Sequence, residues 1–196
     1  MITWYAPLAR AIVALLVAAV VTFSADHSAP LGLTLFGAFA AASGAVIIAL
    51  SLRAAPSIAR TLQLAQGIVT LVAGFLALFM ASAGLPFLIY IVAGFAVVSG
   101  FLELILGVRS RRSTRVARDW IFAGGLTVLL AIVVLLVPPG FVQSFTGPDG
   151  VQRALTASVI VVGTLGAYWV ILGVYLVIAA LSLKWAPETT ATPNEA

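Results

Sequence analysis

The sequence predicts an all-α polytopic membrane protein, with six transmembrane helices arranged as three parallel helical-hairpin repeats. Of its 196 residues, 63% are hydrophobic and only 8% are charged, whereas a soluble domain carries about 25% charged residues. The apolar residues also form long runs, and about 20 such residues span a bilayer as a helix. The lipid bilayer is therefore the expected partner of most of the surface.

Six segments are apolar and long enough to qualify, and polar or proline-containing breaks separate them. The segments are residues 8–23, 31–52, 58–81, 85–108, 120–137 and 154–183. The first one could be a cleaved signal peptide, but it fills a place in the repeat described below, so a retained helix is predicted. The longest break is residues 138–153, and residues 187–196 have the composition of a disordered cytoplasmic tail.

Basic residues collect on one side of the predicted membrane. Alternate breaks place nine of the ten Lys and Arg residues together, and cytoplasmic loops carry such an excess. We therefore predict a bacterial inner-membrane protein with cytoplasmic N and C termini. The net charge of +4 follows from this topology, so no nucleic-acid partner is expected.

Small residues recur every seven positions in the even-numbered segments. In lipid, small side chains let helices approach closely, and a seven-residue spacing keeps them on one face of a left-handed crossing. The repeats predicted from this pattern are residues 8–53, 58–109 and 118–184, within a transmembrane domain of residues 1–186. A pore lined by the glycines is the alternative, but few polar side chains share that face. The predicted packing residues are Gly37, Gly44, Ala93, Gly100, Gly107, Gly166 and Gly173.

Several short motifs recur at the ends of the predicted helices. They are Ser43 and Gly44 before Arg53, Ser99 and Gly100 before Arg109, Trp120 with Gly125, and Pro138 with Pro139. Together they resemble the HdeD acid-resistance membrane protein family, over about residues 8–183. The resemblance implies a six-helix inner-membrane protein tied to acid stress or of unknown role, and it implies no catalytic residues.

Glu103 is the most informative single residue, because an ionisable group at membrane depth is costly and is a functional hypothesis by default. One interpretation is a structural pair with Arg60 or Arg118. The other is a proton- or cation-binding carboxylate. Gln63 and Gln66 lie at a similar depth, so a polar intramembrane cluster with Glu103 is predicted, either as interhelical glue or as a ligand site.

Two further surfaces are candidates for recognition. The cytoplasmic basic patch sets topology and could also contact an anionic lipid. The external loop of residues 138–153 is long enough to be functional, although a loosely held connection is equally compatible with its sequence. The patch consists of Arg109, Arg111, Arg112, Arg115 and Arg118, and the loop candidates are Phe141, Phe145, Asp149 and Arg153.

Catalytic and cofactor signals are missing from the sequence. The chain has no Cys and one His, and it contains none of the common phosphate-binding, zinc-protease or serine-hydrolase motifs. No enzyme activity, metal or cofactor is therefore expected. The leading hypothesis is a non-catalytic accessory or assembly component of a larger membrane complex, or a stress-associated HdeD-like protein. The alternative is a small transporter or channel that uses Glu103.

Overall fold

The computed structural model describes residues 4–111 and 116–185. Six long helices account for most of this part of the chain, and each has the length and hydropathy of a membrane span. The fold class predicted from composition is therefore confirmed at the level of six apolar helices. The helices are α1 Tyr5–Phe23, α2 Ala29–Arg53, α3 Ile58–Phe79, α4 Leu85–Ser110, α5 Ala117–Leu135 and α6 Ala157–Lys184.

Local sequence explains where several helices begin. Ser28, Ser57 and Thr156 precede α2, α3 and α6, and each hydroxyl accepts a hydrogen bond from a backbone N–H of the first turn. This is the usual N-cap arrangement. The turn before α4 uses Gly84 at φ +85°, a left-handed conformation that glycine adopts without steric cost.

The connection between α5 and α6 differs from the predicted loop. Strands β1 (Val142–Thr146) and β2 (Gln152–Thr156) form an antiparallel hairpin, in which Phe145 pairs with Arg153. The Gly147-Pro148-Asp149-Gly150 sequence supplies the turn residues, and Gly150 has φ +76°. Helix α6 therefore begins at Ala157 rather than at residue 154, because the backbone of the preceding residues is paired within the hairpin.

Glycine contacts define the close helix pairs of the bundle. A Cβ built on Gly44 would lie 2.6 Å from the Leu71 nitrogen of α3, and one on Gly100 would lie 3.0 Å from the Val128 nitrogen of α5. A Cβ on Gly173 would lie 2.7 Å from Leu15 of α1. All three glycines thus face neighbouring protein, as small residues at membrane helix interfaces do.

The remaining predicted packing glycines contact the same neighbouring helices. Gly37 lies against Gly74 of α3, Gly107 against Ala117 of α5, and Gly166 against Val21 of α1, while Ala93 is buried. The close pairs are therefore α2–α3, α4–α5 and α6–α1. Each joins helices of different predicted hairpins, so the predicted division into hairpin repeats stays a prediction.

The pair α6–α1 closes the bundle between helices that lie at opposite ends of the sequence. The beginning of α1 and the end of α6 also meet, since the Lys184 ammonium lies 5.0 Å from the Trp4 ring centroid. A cation over an indole face is an attractive arrangement. The position of α1 is therefore set by its packing against α6, although no short connection joins these two helices.

Helices α2, α4 and α6 meet around a common line, which we call the axis. A Cβ built on Gly32 of α2 would lie 2.8 Å from both Leu88 of α4 and Val162 of α6. All three residues belong to the first two turns of their helices, so these helices point the same way. We call the end of the axis at these first turns the dry half, because Leu33, Leu88 and Val161 there are fully buried.

The outward surfaces of the helices are apolar. Phe23 is 89% exposed and Phe79 is 84% exposed, and further large apolar side chains cover the middle of each helix. Soluble monomers rarely expose so many large apolar side chains side by side. The surface agrees with helices that span a bilayer.

Candidate functional site

The opposite end of the axis contains a buried ion pair between α1 and α4. The Arg10 Nη1 atom donates to Glu103 Oε1 at 3.0 Å, and the side chains are 18% and 3% exposed. The predicted partners Arg60 and Arg118 are therefore wrong: Arg10 fills that role because the α6–α1 pair brings α1 to the axis. Removing either member alone would leave an uncompensated buried charge.

Gln66 of α3 approaches the same place from a third helix. Its amide nitrogen donates to Ser99 Oγ of α4 at 3.3 Å, and both residues are buried. Gln66 and Glu103 line one cavity, whereas Gln63 is only partly buried and does not line it. The structure thus places two members of the predicted polar cluster together and leaves the third at the periphery.

Tyr168 of α6 and Thr127 of α5 complete the polar groups on the axis. Their oxygens lie 3.0 Å apart, and the Thr127 hydroxyl also donates to the Ala123 carbonyl at 2.8 Å. Since a threonine hydroxyl has one hydrogen, Tyr168 is the donor to Thr127. Thr70 of α3 donates to its own helix at the Gln66 carbonyl. We call this end of the axis the polar half and define it by Arg10, Gln66, Ser99, Glu103 and Thr127.

A small cavity of about 10 Å³ lies among these side chains. Ser43 of α2 lines it, is 2% exposed, and has a hydroxyl without a hydrogen-bond partner among the described residues. Arg10 also lines the cavity. Its Nε atom is buried and has no hydrogen-bond partner within residues 4–111 and 116–185. Buried polar groups in native structures are nearly always bonded.

Ring contacts separate the polar half from the dry half. Phe39 of α2 lies 6.4 Å from Tyr168 and 5.5 Å from Trp169, measured between ring centroids, and Phe36 lies 5.3 Å from Phe95 of α4. We call these five residues the aromatic layer. Phe39, Phe95 and Tyr168 also line the cavity, so the cavity ends on this layer.

Sequence reasoning missed most of the site, although a spacing signal was present. Phe39 and Phe95, Ser43 and Ser99, and Arg10 and Gln66 are each 56 residues apart, and all six line the cavity. Ile47 lies 56 residues before Glu103 and lines it too. Comparing residues at this interval would have singled out Arg10 and Ser43 as corresponding to polar residues elsewhere.

The predicted basic patch lies on the surface where the structure describes it. Arg109, Arg111 and Arg118 are exposed, at the ends of α4 and α5 farthest from the dry half. Arg112 and Arg115 lie outside the described residues, as does the predicted tail of residues 187–196.

The predicted external loop residues belong to the β-hairpin and its base. Asp149 Oδ1 and Oδ2 accept from Arg153 Nη1 and Nη2 at 2.9 and 2.7 Å. The hydrogen bonds from Arg153 and from the Val151 backbone N–H hold the pKa of Asp149 below its usual range. Phe145 is 48% exposed, whereas Phe141 is partly buried and its carbonyl accepts from the Ala157 nitrogen.

Most polar groups of the polar half are bonded to one another or to their own helices. Glu103 is neutralised by Arg10, and Thr127 and Thr70 use their hydroxyl hydrogens within their own helices. A nucleophile needs a neighbouring base to take its proton. Within the described parts of the chain, no three His, Cys, Asp or Glu side chains gather in one place.

Fold and site together define a multi-pass helical membrane protein with a polar cluster on its axis. The comparison with protein families agrees with this class: a family described as "Short repeat of unknown function (DUF308)" matches residues 65–137. That stretch contains Gln66, Ser99, Glu103 and Thr127 but not Arg10 or Ser43. No curated protein matches the chain. No solved structure matches it either.

Proposed function

We propose that the protein is a non-catalytic component of the bacterial inner membrane, with both termini in the cytoplasm. It acts as an accessory or assembly subunit of a larger membrane complex, in the stress-associated HdeD-like class. The matching family supports this proposal, because it comprises short membrane repeats and includes HdeD-like proteins. The further resemblance of the Ser-Gly and Trp-Gly motifs to that class adds to it.

The observation that carries the proposal is the closure of the axis. The cavity of the polar half ends on the aromatic layer, and beyond that layer Leu33, Leu88 and Val161 have no exposed surface. Among the described residues, the axis has no continuous polar lining of the kind found in ion-conducting pores. A bundle packed in this way is suited to holding a fixed shape in the membrane.

Recovery of complexes from native membrane tests the accessory role. A tagged chain extracted in a mild detergent is expected to bring down a membrane protein in a fixed molar ratio. The matched control is the tagged Gly44→Leu variant, whose α2–α3 contact is disrupted and which should lose that partner. A chain that purifies as an isolated copy in every mild detergent contradicts the accessory role.

Single cysteines test the topology cleanly, since the chain has none of its own. A Ser28→Cys variant, at the start of α2, should react with a membrane-impermeant thiol reagent in intact cells. A Ser113→Cys variant, between α4 and α5 in the sequence, should react only after lysis. The reverse pattern contradicts cytoplasmic termini.

A small transporter or channel is the second candidate, because Glu103 is a buried carboxylate in a polar cavity whose Arg10 side retains some exposure. Proton- or cation-dependent flux in liposomes that disappears in Glu103→Gln would favour it. Flux that is unchanged in that variant would remove Glu103 from the mechanism. The 3.0 Å contact with Arg10 weighs against a metal cation, because the guanidinium already neutralises the carboxylate.

A further inference from the structure

Ser43 differs from the other hydroxyl groups near the axis. Thr70, Thr127 and Ser51 each donate to a carbonyl four residues earlier in their own helix, at 2.7, 2.8 and 2.7 Å. Ser99 accepts from Gln66. Ser43 does neither within the described chain, although it is equally buried. Its hydroxyl is therefore available to something in the cavity.

Arg10 lines the same cavity and carries a second available group. Its Nη1 atom is bound to Glu103, but its Nε atom has no partner in the part of the chain that the structure describes. A guanidinium has five N–H donors and no acceptor. The occupant of the cavity must therefore accept a hydrogen bond from Arg10 and bond to Ser43 as well.

Size and charge select the occupant. A volume of about 10 Å³ is close to the smallest space that holds one water molecule. The charges of Arg10 and Glu103 cancel, so an added anion would face the carboxylate and an added cation would face the guanidinium. A neutral molecule that both donates and accepts fits these constraints.

We propose that the axis binds one ordered water molecule, which accepts from Arg10 Nε and bridges to Ser43 Oγ. Buried waters typically make about three hydrogen bonds to groups that would otherwise be unsatisfied. This water joins α2 to the ion pair between α1 and α4, so one network links one helix from each of the three close pairs. The proposal is independent of the accessory role.

The sign of a stability change tests the bridge. If Ser43 binds the water, Ser43→Ala removes a ligand of that water and lowers the melting temperature in detergent by about 2–4 °C. If the Ser43 hydroxyl is unpaired, its removal relieves a buried polar group and the melting temperature rises, which overturns the proposal. Ser51→Ala is the matched control, because its hydroxyl bonds within its own helix.

Direct observation gives a second and independent arm. An experimental structure that resolves waters should show one peak within hydrogen-bond distance of Arg10 Nε and Ser43 Oγ, absent in Ser43→Val, where the added methyl groups fill the space. Density at that position that refines as an ion rather than as water would overturn the proposal. A wild-type structure without a peak, or with Ser43 bonded to the Phe39 carbonyl, would overturn it as well.

Discussion

The two halves of the axis fill the space between the helices with different kinds of side chain, apolar in one half and polar or charged in the other. In the dry half, Leu33, Leu88 and Val161 fill the space between α2, α4 and α6. In the polar half, the equivalent space holds the Arg10–Glu103 pair and the Gln66–Ser99 hydrogen bond. Buried charges rarely stabilise a fold more than apolar packing does, because desolvation offsets their mutual attraction, so the two halves are expected to respond differently to substitution.

The two halves should also differ in how much stability they lose when a side chain is substituted. Apolar packing loses energy in proportion to the volume removed. A charged pair loses little when both members are replaced and much when one is removed. Single and double substitutions therefore distinguish the two halves.

Arg10→Met should have the largest effect, because it leaves Glu103 buried without its counter-charge. We expect a loss of about 4 kcal/mol, measured as thermal or denaturant unfolding in detergent. The double variant Arg10→Met/Glu103→Leu should recover most of that loss. A double variant as unstable as the single one would contradict the view that the pair is an isolated charged unit.

Leu88→Ala tests the dry half. Leu88 is fully buried and contacts the Gly32 position, so its truncation should leave a cavity and cost about 3 kcal/mol. Leu16→Ala is the control, since Leu16 is 64% exposed on the outward face of α1 and lipid or detergent can fill the space. Equal losses in the two variants would mean that the dry half is not tightly packed.

The six apolar spans were predictable from the sequence because a bilayer demands length and hydrophobicity, and both can be read directly. Glu103 stood out for the same reason, as a charged residue within an apolar run. Its partner did not, because Arg10 looked like a topology signal at the membrane surface. The 56-residue spacing to Gln66 was the available sequence signal for Arg10, and the α6–α1 contact, between residues distant in the sequence, is what places Arg10 at the axis.

The β-hairpin was missed for a different reason. The largely apolar character of residues 154–183 favoured a longer final helix, and strand pairing across Phe145 and Arg153 involves too few residues to give a strong pattern. The Gly-Pro-Asp-Gly turn was the available signal. Short hairpins next to long apolar helices are therefore easily assigned to the helix.

Gly44→Ala tests whether close helix approach supports both halves. A Cβ there would lie 2.6 Å from the Leu71 backbone nitrogen, so α2 and α3 must separate, at a cost of about 2 kcal/mol. Gly125→Ala is the matched control, because nothing lies within 4 Å of its added Cβ. The control should be neutral or slightly stabilising, since alanine favours helix over glycine. A destabilised Gly125→Ala with an unaffected Gly44→Ala would contradict the packing role.

Asp149→Asn should have the smallest effect on stability. It breaks a carboxylate–guanidinium pair like that of Glu103 and Arg10, but one that is exposed to water rather than buried. Asp149 and Arg153 are about half exposed, and exposed pairs contribute little to stability. The global melting temperature should stay unchanged, while amide exchange at β1 and β2 should increase.

The pH dependence of the hairpin follows from the same pair. Because the pKa of Asp149 is lowered in the folded hairpin, its contribution is present above the ordinary aspartate range and is lost as the pH falls through the lowered pKa. Acidification should therefore lower the protection of the β1 and β2 amides, measured relative to the intrinsic exchange rate at each pH, in the wild-type hairpin but not in Asp149→Asn. If Asp149→Asn instead lowered the melting temperature as much as Arg10→Met does, burial would not explain the large contribution of the Arg10–Glu103 pair to stability.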